Sequence, residues 1–393
     1  MHRPDCGAML LARSHPAPVR EGRATTDDLA SAKIGADDMQ GVDTRHLDRG
    51  PLRAGDQVQV RSEREILDSL DSSGRLEGLP FMPEMVRYCG ETLRVFKRAD
   101  KTCDSIWSPG MRRMEDAVFL WGARCDGSAH GGCQAECLLF WKEAWLQAAS
   151  PQHGHRAPEM PERPRRHDDA IASRCDPEDL VRATTVPPGS NSETYSCQAT
   201  EIGRASTELP PMPRWDVRQY TGDVRSGNIR IGRLTAVMSK QLVESVTYRL
   251  ARSRIGREVV VPATRRFAKR HRWVARGQEA SGPAASSREL RGGLDLRPGD
   301  RVRVRSRQEI EATLDSKRRN RGLSFNDEMH CYCGSEYRVL KRVERIINEP
   351  TGRMVILRDC IVLDGVTCQG DYHRFCPRAV YPYWREAWLT KLD

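Results

Sequence analysis

Residues 54–62 read AGDQVQVRS, and residues 298–306 repeat this stretch as PGDRVRVRS. In each copy a Gly-Asp turn leads into an alternating run with valines on one face and Gln or Arg side chains on the other. This alternation is typical of a half-buried β-strand. Because the same strand occurs at two distant places, the sequence predicts an internal duplication.

The duplication extends well beyond this strand. Without gaps, residues 55–100 match residues 299–344 at 24 of 46 positions, and residues 111–147 match residues 354–390 at 13 of 37 positions. The repeated unit of about 95 residues is far longer than the repeats of solenoid proteins. The sequence therefore predicts two homologous modules.

Each copy combines strands with short helical segments. After the opening strand, EREILDSLDSS (63–73) and RQEIEATLDSK (307–317) have apolar residues at i, i+4 spacing, which predicts a short helix with one buried side. Two more strands follow, and the copies close on FWKEAWL (140–146) and YWREAWL (383–389). We predict short closing helices whose tryptophans pack in the core. These are Trp141, Trp145, Trp384 and Trp388. The predicted fold class is α+β, with small, curled antiparallel sheets.

The opening PGDRVRVRS resembles the first strand of SH3-like and KOW-type barrels, where a Gly-Asp turn precedes a charged alternating strand. The resemblance covers this opening stretch of each copy and not the whole chain. It implies that each module is a small SH3-like barrel, a fold whose usual work is to bind proteins or nucleic acids.

The composition indicates that much of the chain lies outside the modules. Hydrophobic residues make up only 38%, and there are 23 prolines, which is typical of chains with long linkers or disordered segments. Since each copy carries its own strands, metal ligands and tryptophans, we expect the modules to fold independently. The predicted organisation is a disordered tail (1–50), module 1 (51–149), a disordered linker (150–212), a basic helical connector (213–277), a linker (278–292) and module 2 (293–393).

Cysteines and a histidine recur at matching positions in the two copies. The spacing Cys-x4-His-x2-Cys occurs in CDGSAHGGC (125–133) and again in CQGDYHRFC (368–376). A Gly-containing loop can bring these three ligands together, and a cysteine after Tyr in YCG supplies a fourth. Three thiolates and one imidazole form the closed tetrahedral set of structural zinc sites. The sequence therefore predicts two zinc sites, one at Cys89, Cys125, His130 and Cys133 and one at Cys333, Cys368, His373 and Cys376.

Two other interpretations of these residues stay open. The stretch CDGSAH resembles the Cys-Asp-Gly-Ser-His core of CDGSH iron–sulfur proteins, and that resemblance implies a [2Fe–2S] cluster and electron transfer. The departures are a residue inserted before His130, the absence of an upstream Cys-x-Cys from the first copy, and CQGDYH in the second. Alternatively, the cysteines are small buried side chains and the histidines are ordinary core or surface residues.

The remaining cysteines have no counterpart in the other copy. Cys103 and Cys137 occur only in the first copy, and Cys331 and Cys360 only in the second. We predict that these four are buried thiols, although Cys137 and Cys331 lie close enough in sequence to predicted ligands to replace one. Incidental thiols are predicted at Cys6, Cys175 and Cys197.

Positive charge is concentrated in one segment. The net charge is +10, and residues 201–292 contain 19 Lys and Arg against 8 Asp and Glu. Within this segment apolar residues recur at helical spacing at Ile231, Leu234, Met238, Leu242 and Val246. A basic amphipathic helix can bind nucleic acid, an anionic membrane surface or a protein groove, or it can pack on a neighbouring module with its charges in water. The predicted contacts to an anionic partner are Arg249, Arg252, Arg254, Arg265, Arg266, Lys269, Arg270 and Arg272.

The sequence contains no pattern that identifies a reaction. Paired carboxylates, a nucleophile elbow, a phosphate-binding Gly loop and the open zinc motif His-Glu-x-x-His are absent from both copies. No apolar run approaches the roughly 20 residues that cross a bilayer, so a cytoplasmic location is expected. The predicted function is a non-enzymatic binding or scaffold protein with zinc-stapled modules. The alternative is a metal-dependent or iron–sulfur enzyme, or a biosynthetic accessory protein.

Overall fold

The structure is a computed structural model that describes residues 50–104, 110–149, 175–184, 194–250 and 293–392. The described residues form both helices and strands, which confirms the α+β class. The predicted disordered tail, apart from Gly50, and the predicted linker at residues 278–292 lie outside the described residues.

The first copy is built around one five-stranded antiparallel sheet. Its strand order is β8-β7-β4-β1-β9, so the last strand pairs with the first. A short 3-10 helix (Pro83–Tyr88) precedes β4, and another (Glu143–Trp145) precedes β9. The elements are β1 (Gln57–Val60), α1 (Glu63–Ser69), β2 (Arg75–Leu76), β3 (Leu79–Pro80), β4 (Thr92–Arg98), β5 (Thr102–Cys103), β6 (Met111–Arg113), β7 (Ala117–Arg124), β8 (Leu138–Lys142) and β9 (Leu146–Ala148).

Between the copies lie α2 (Pro177–Ala183), β10 (Thr207–Glu208), a 3-10 helix (Val217–Tyr220), α3 (Thr221–Arg225) and α4 (Ile231–Leu250).

The second copy has a sheet with the matching strand order, β16-β15-β14-β11-β17. Its 3-10 helices span Asp327–Tyr332 and Glu386–Trp388. The elements are β11 (Arg301–Val304), α5 (Arg307–Glu311), β12 (Arg319–Asn320), β13 (Leu323–Ser324), β14 (Glu336–Ile347), β15 (Met354–Leu363), β16 (Trp384–Arg385) and β17 (Leu389–Leu392).

The opening strands bury the face that the sequence predicts. Val58 and Val60 in β1, and Val302 and Val304 in β11, are fully buried. Each strand is followed by a helix that begins with a capping box, in which a serine and a glutamate three residues later satisfy each other's backbone N–H groups. Alternating burial and a capped helix start therefore recur at equivalent places.

The closing segments are not helical as predicted. In the first copy a strand, a single 3-10 turn and another strand cover residues 138–148, and the second copy repeats this arrangement. Pairing with neighbouring strands, such as Trp141 with Val118, decides the conformation. Seven residues are too few for spacing alone to separate helix from strand. The predicted core role of the tryptophans is confirmed, because all four are fully buried: Trp141, Trp145, Trp384 and Trp388.

The prediction of disorder across residues 150–212 is wrong for the parts that the structure describes. Helix α2 buries Leu180 in the first core, and Cys197 and Ile202 join the same core. Strand β10 extends a small sheet by pairing with β6. Contacts with residues distant in sequence, rather than a local periodic pattern, give these segments their structure.

The described part of the basic connector contains the 3-10 helix Val217–Tyr220 and the helices α3 and α4. Val237 of α4 is buried against Phe375 of the second copy, with Tyr220 in the same cluster. Gln241 donates a hydrogen bond of 2.5 Å to the Asp371 carbonyl. The helix therefore docks beside the second Cys/His loop. Within the described residues, no helix combines the length and apolar character needed to cross a membrane.

The two copies interlock. Cys133 of the first copy belongs to the core of the second, and Ala379 of the second belongs to the core of the first. Gln134 N donates to the Arg345 carbonyl at 3.0 Å, and Arg124 donates to the Ala379 carbonyl at 3.1 Å. The module boundaries drawn from the sequence therefore do not separate two closed cores.

Candidate metal centre

The Cys/His loops of the two copies have the same backbone hydrogen bonds. Cys125 N donates to the Cys137 carbonyl at 2.9 Å, and Cys368 N donates to the Val380 carbonyl at 2.8 Å. Inside the loops, His130 N and His373 N donate to the carbonyls of Gly127 and Gly370 at 3.2 and 3.0 Å. The first loop begins directly after β7, the second begins five residues after the end of β15, and both are closed by the same backbone hydrogen bonds.

One glycine in each loop is required by both conformation and space. Gly127 has φ +73° and Gly370 has φ +75°, in the left-handed region. A Cβ atom on Gly127 would lie 2.0 Å from the Cys133 carbonyl oxygen, and one on Gly370 would lie 2.7 Å from the Cys376 carbonyl oxygen. The loops fold tightly because no side chain stands at this position.

In the first copy the loop meets a carboxylate. Cys125 Sγ lies 3.3 Å from His130 Nε2 and 3.2 Å from Glu84 Oε1. His130 Nδ1 lies 3.6 Å from the same carboxylate oxygen. The 3-10 helix Pro83–Tyr88 presents Glu84 to the loop. Glu84, Cys125 and His130 could hold a metal ion, since their ligand atoms lie within 4.8 Å of one another.

Burial of this cluster accounts for the pKa shifts of Cys125 and His130. Its side chains are buried, and Glu84 Oε2 and His130 Nδ1 have no hydrogen-bond partner among the described residues. Burial raises the pKa of the Cys125 thiol, and the neighbouring charge of Glu84 raises it further. Burial also lowers the pKa of His130, because the charged imidazolium is poorly solvated there. A bound cation would stabilise the thiolate and the carboxylate together.

The structure brings together two of the four ligands predicted for the first copy. Cys125 and His130 are in the cluster, whereas Cys89 is half-buried outside it. Burial, together with the nearby charge of Glu63, raises the pKa of Cys89 to about 11. Cys133 Sγ instead accepts a hydrogen bond of 3.4 Å from Ile347 N of the second copy. Metal binding by Cys89 and Cys133 stays a prediction.

In the second copy the loop meets a cysteine from the first copy. Cys376 Sγ lies 3.2 Å from Cys103 Sγ, and Cys103 N donates to Cys376 Sγ at 3.1 Å. His373 belongs to the same loop, and its carbonyl oxygen accepts a hydrogen bond of 3.0 Å from Cys376 N. The predicted ligand Cys333 is buried elsewhere, with its Sγ 3.9 Å from the Met329 carbonyl oxygen. Its role as a ligand stays a prediction.

The pKa values of the thiols and of the imidazole at the second loop shift in different directions. The pKa of Cys103 is lowered, chiefly by its hydrogen bond with Cys376, whereas burial raises the pKa of Cys376. Burial lowers the pKa of His373, but its hydrogen bond with Cys103 and that thiol's charge outweigh burial, so the net direction is upward. Burial also raises the pKa of Cys368, and the charge of Glu328 adds to the effect. The directions of these shifts make the Cys103 thiol more acidic and the His373 imidazole more basic.

Glu84 is the member of the candidate metal cluster that the sequence does not point to directly. Its equivalent in the second copy is Glu328, and the two fall in the matching stretches FMPEM (81–85) and FNDEM (325–329). The signal was therefore this identity between the copies. A carboxylate is one of the ligand types that zinc binds, but glutamates are common, so this identity alone does not distinguish Glu84 from other shared residues.

The other predicted residues fall outside the metal centre. Cys137, Cys175, Cys197 and Cys360 are at least half-buried thiols, and Cys331 is exposed. The structure places Arg249 on the surface of α4. The remaining predicted anion contacts lie outside the described residues: Arg252, Arg254, Arg265, Arg266, Lys269, Arg270 and Arg272.

Comparison of the chain with protein-family profiles, with curated proteins and with solved structures finds no match.

Proposed function

We propose that this chain is a zinc-stabilised binding or scaffold protein, and that the loops of both copies hold zinc. The observation that carries the proposal is the buried cluster of Glu84, Cys125 and His130, in which Glu84 Oε2 and His130 Nδ1 have no hydrogen-bond partner among the described residues. Leaving buried polar atoms unpaired is unfavourable. A divalent cation would satisfy all three side chains at once.

The donor types favour zinc. Zinc binds thiolate, imidazole and carboxylate, whereas iron–sulfur clusters are held mainly by thiolates. The position of Glu84 beside Cys125 therefore supports zinc over a [2Fe–2S] cluster. Glu328, Cys368 and His373 occupy the equivalent positions in the second copy, which supports a second site.

The sheet topology supports the binding role. In each copy the last strand pairs with the first, and a single 3-10 turn leads into that last strand. This arrangement is consistent with the SH3-like barrel that the opening strand resembles. The described cysteines are free thiols, which supports the reducing cytoplasm as the compartment.

Metal analysis of variants tests the proposal. We expect zinc in the full-length protein purified without oxygen, and Cys125→Ser should lower the zinc content by one ion per chain because it removes a thiolate ligand. Cys175→Ser is the matched control, since Cys175 is also a buried thiol packed in the first core and lies outside the cluster. A wild-type protein that is folded, holds no metal and is unaffected by chelator would contradict the proposal.

One observation favours the enzyme alternative. The first centre offers three protein ligands, and catalytic zinc sites keep three protein ligands plus an exchangeable water. The burial of His130, which is 1% exposed, favours a closed structural site instead. With cobalt in place of zinc, an absorption spectrum that changes on adding azide would indicate an open fourth position and support the enzyme.

We also propose that the basic connector binds an anionic partner. One face of helix α4 packs on the second copy. On the same helix, Ile231, Leu242 and Val246 are 64, 54 and 42% exposed, and Arg249 is also exposed. Exposed apolar and basic side chains on one helix suit either nucleic acid or an anionic membrane surface.

Paired titrations distinguish these partners. On duplex DNA, log K should fall linearly with log salt, with a slope of about −0.9 per phosphate neutralised. The double variant Leu242→Ser, Val246→Ser should retain nucleic-acid binding, and it should lose binding to phosphatidylserine vesicles if the apolar face inserts. Absence of binding to both at low salt would contradict an anionic partner.

A further inference from the structure

Cys103 is a cysteine of the first copy that lies against the Cys/His loop of the second. It ends strand β5, and 273 residues separate it from Cys376. Because it has no counterpart in the other copy, the sequence alone marks it as an isolated thiol. Its contacts in the folded chain indicate a different role.

The distance between the sulfurs of Cys103 and Cys376 suits a shared metal ion. The two sulfurs of Cys103 and Cys376 are 3.2 Å apart, well beyond the roughly 2.05 Å of a disulfide. Two thiolates on one tetrahedral zinc, at about 2.3 Å each, would be about 3.8 Å apart, so small side-chain movements would admit the ion. His373 lies in the same loop, where its carbonyl oxygen accepts a hydrogen bond of 3.0 Å from Cys376 N, so the loop offers an imidazole near this point.

The loop of the first copy makes the equivalent contact with the second copy, but it meets no thiol there. The position that matches Cys103 in the second copy is Ile347, and Ile347 N donates to Cys133 Sγ at 3.4 Å. Cys103 N donates to Cys376 Sγ in the corresponding way, at 3.1 Å. Each loop therefore docks on the other copy through the same backbone contact, but only the second loop receives a cysteine there.

The equivalent carboxylates of Glu84 and Glu328 differ in their hydrogen bonds. Glu84 Oε2 is buried and has no hydrogen-bond partner among the described residues. Glu328 Oε1 accepts a hydrogen bond of 2.6 Å from Tyr372 N, so it is engaged in holding the second loop. The first loop thus has an available carboxylate and no neighbouring Cys103, whereas the second has Cys103 and an engaged carboxylate.

We propose that Cys103 completes the second zinc site, with Cys368, His373 and Cys376 as the other ligands, so that one metal ion joins the two copies. This inference rests on the proposed function. It replaces Cys333, the fourth ligand expected from the sequence, with a residue of the opposite copy. Binding would release the remaining thiol protons and would involve no change of oxidation state.

Zinc content and cobalt spectra of two matched variants test the site. In full-length protein purified without oxygen, Cys103→Ser should lower the zinc content by one ion per chain, while Cys333→Ser should leave it unchanged. In cobalt-substituted protein, Cys103→Ser should also weaken the thiolate-to-cobalt absorption. Equal zinc content and equal cobalt absorption in wild type and Cys103→Ser, or loss of zinc in Cys333→Ser alone, would overturn the inference.

Thiol labelling of the wild type keeps the inference falsifiable if Cys103→Ser does not fold. With zinc bound, Cys103, Cys368 and Cys376 should react slowly with iodoacetamide, and a chelator should accelerate all three together. Acceleration of Cys368 and Cys376 without Cys103, or a disulfide between Cys103 and Cys376 in the oxygen-free protein, would overturn it. A wild type without any metal would instead refute the proposed function from which the inference starts.

Discussion

An arginine–glutamate pair occupies the same position in both copies and anchors the segment before the first strand. Arg98 pairs with Glu143 in the first copy, and Arg342 pairs with Glu386 in the second. Glu386 also accepts hydrogen bonds from Leu294 N and Leu296 N at 3.1 and 3.3 Å. Removing one member of a buried pair leaves the other charge uncompensated.

We therefore expect Glu386→Ala to lower the free energy of unfolding by about 3 kcal/mol. Glu336→Ala is the matched control, because Glu336 pairs with Arg301 and Arg303 on the surface of the same sheet, where an exposed pair is worth about 1 kcal/mol or less. Urea denaturation of the full-length variants measures both. Equal effects of the two substitutions would show that the buried pair has no special role.

At the scale of elements, the Cys/His loops depend on the glycine that lets the chain fold back. Two glycines near this region have left-handed backbones but different surroundings. Gly127 has φ +73° and no room for a Cβ atom, whereas Gly122 has φ +74° and open space around it. Comparing them separates backbone strain from steric exclusion.

We expect Gly122→Ala to destabilise the protein by about 1 kcal/mol through its backbone conformation alone. Gly127→Ala should destabilise it more and should also reduce zinc binding, because the Cys133 carbonyl must move away from the new Cβ atom. Thermal denaturation and zinc content are the measurements. Normal zinc content in Gly127→Ala would mean that the loop tolerates this shift and that the glycine is not required for the site.

At the scale of the whole molecule, the copies exchange contacts that complete each other's cores. Cys133 packs in the second core, and Lys341 of the second copy forms an ion pair of 2.5 Å with Glu136 of the first. These contacts change the expectation of independent folding.

We expect residues 293–393 expressed alone with zinc to give poorly dispersed amide signals, because the fragment lacks the part of its core supplied by Cys133 and its neighbours. Adding a separately expressed fragment of residues 50–250 should restore dispersion. Well-dispersed signals from the isolated fragment would show that each copy is a complete domain, as the sequence alone indicates.

Local features could be predicted from the sequence because they depend on neighbouring residues. The alternation of Val58 and Val60 predicts strand β1, and the serine–glutamate spacing marks the start of α1. The closing segment was mistaken for a helix because strand pairing outweighs a short i, i+4 pattern. For the candidate site, the recurring Cys125 and His130 were recognised, whereas Glu84 was not, since it lies 41 residues before Cys125 and belongs to another element.

By itself, the sequence determined the duplication, the buried face of each opening strand, and the recurrence of the Cys/His loops. Identity between copies and short-range periodicity are enough for these features. Only the tertiary structure decided that residues 175–184 and 197–208 pack on the first copy, that Glu84 joins the first cluster, and that Cys103 meets the second loop. The physical reason is that such contacts join parts of the chain as much as 273 residues apart, and burial and shape, rather than local pattern, determine which side chains meet.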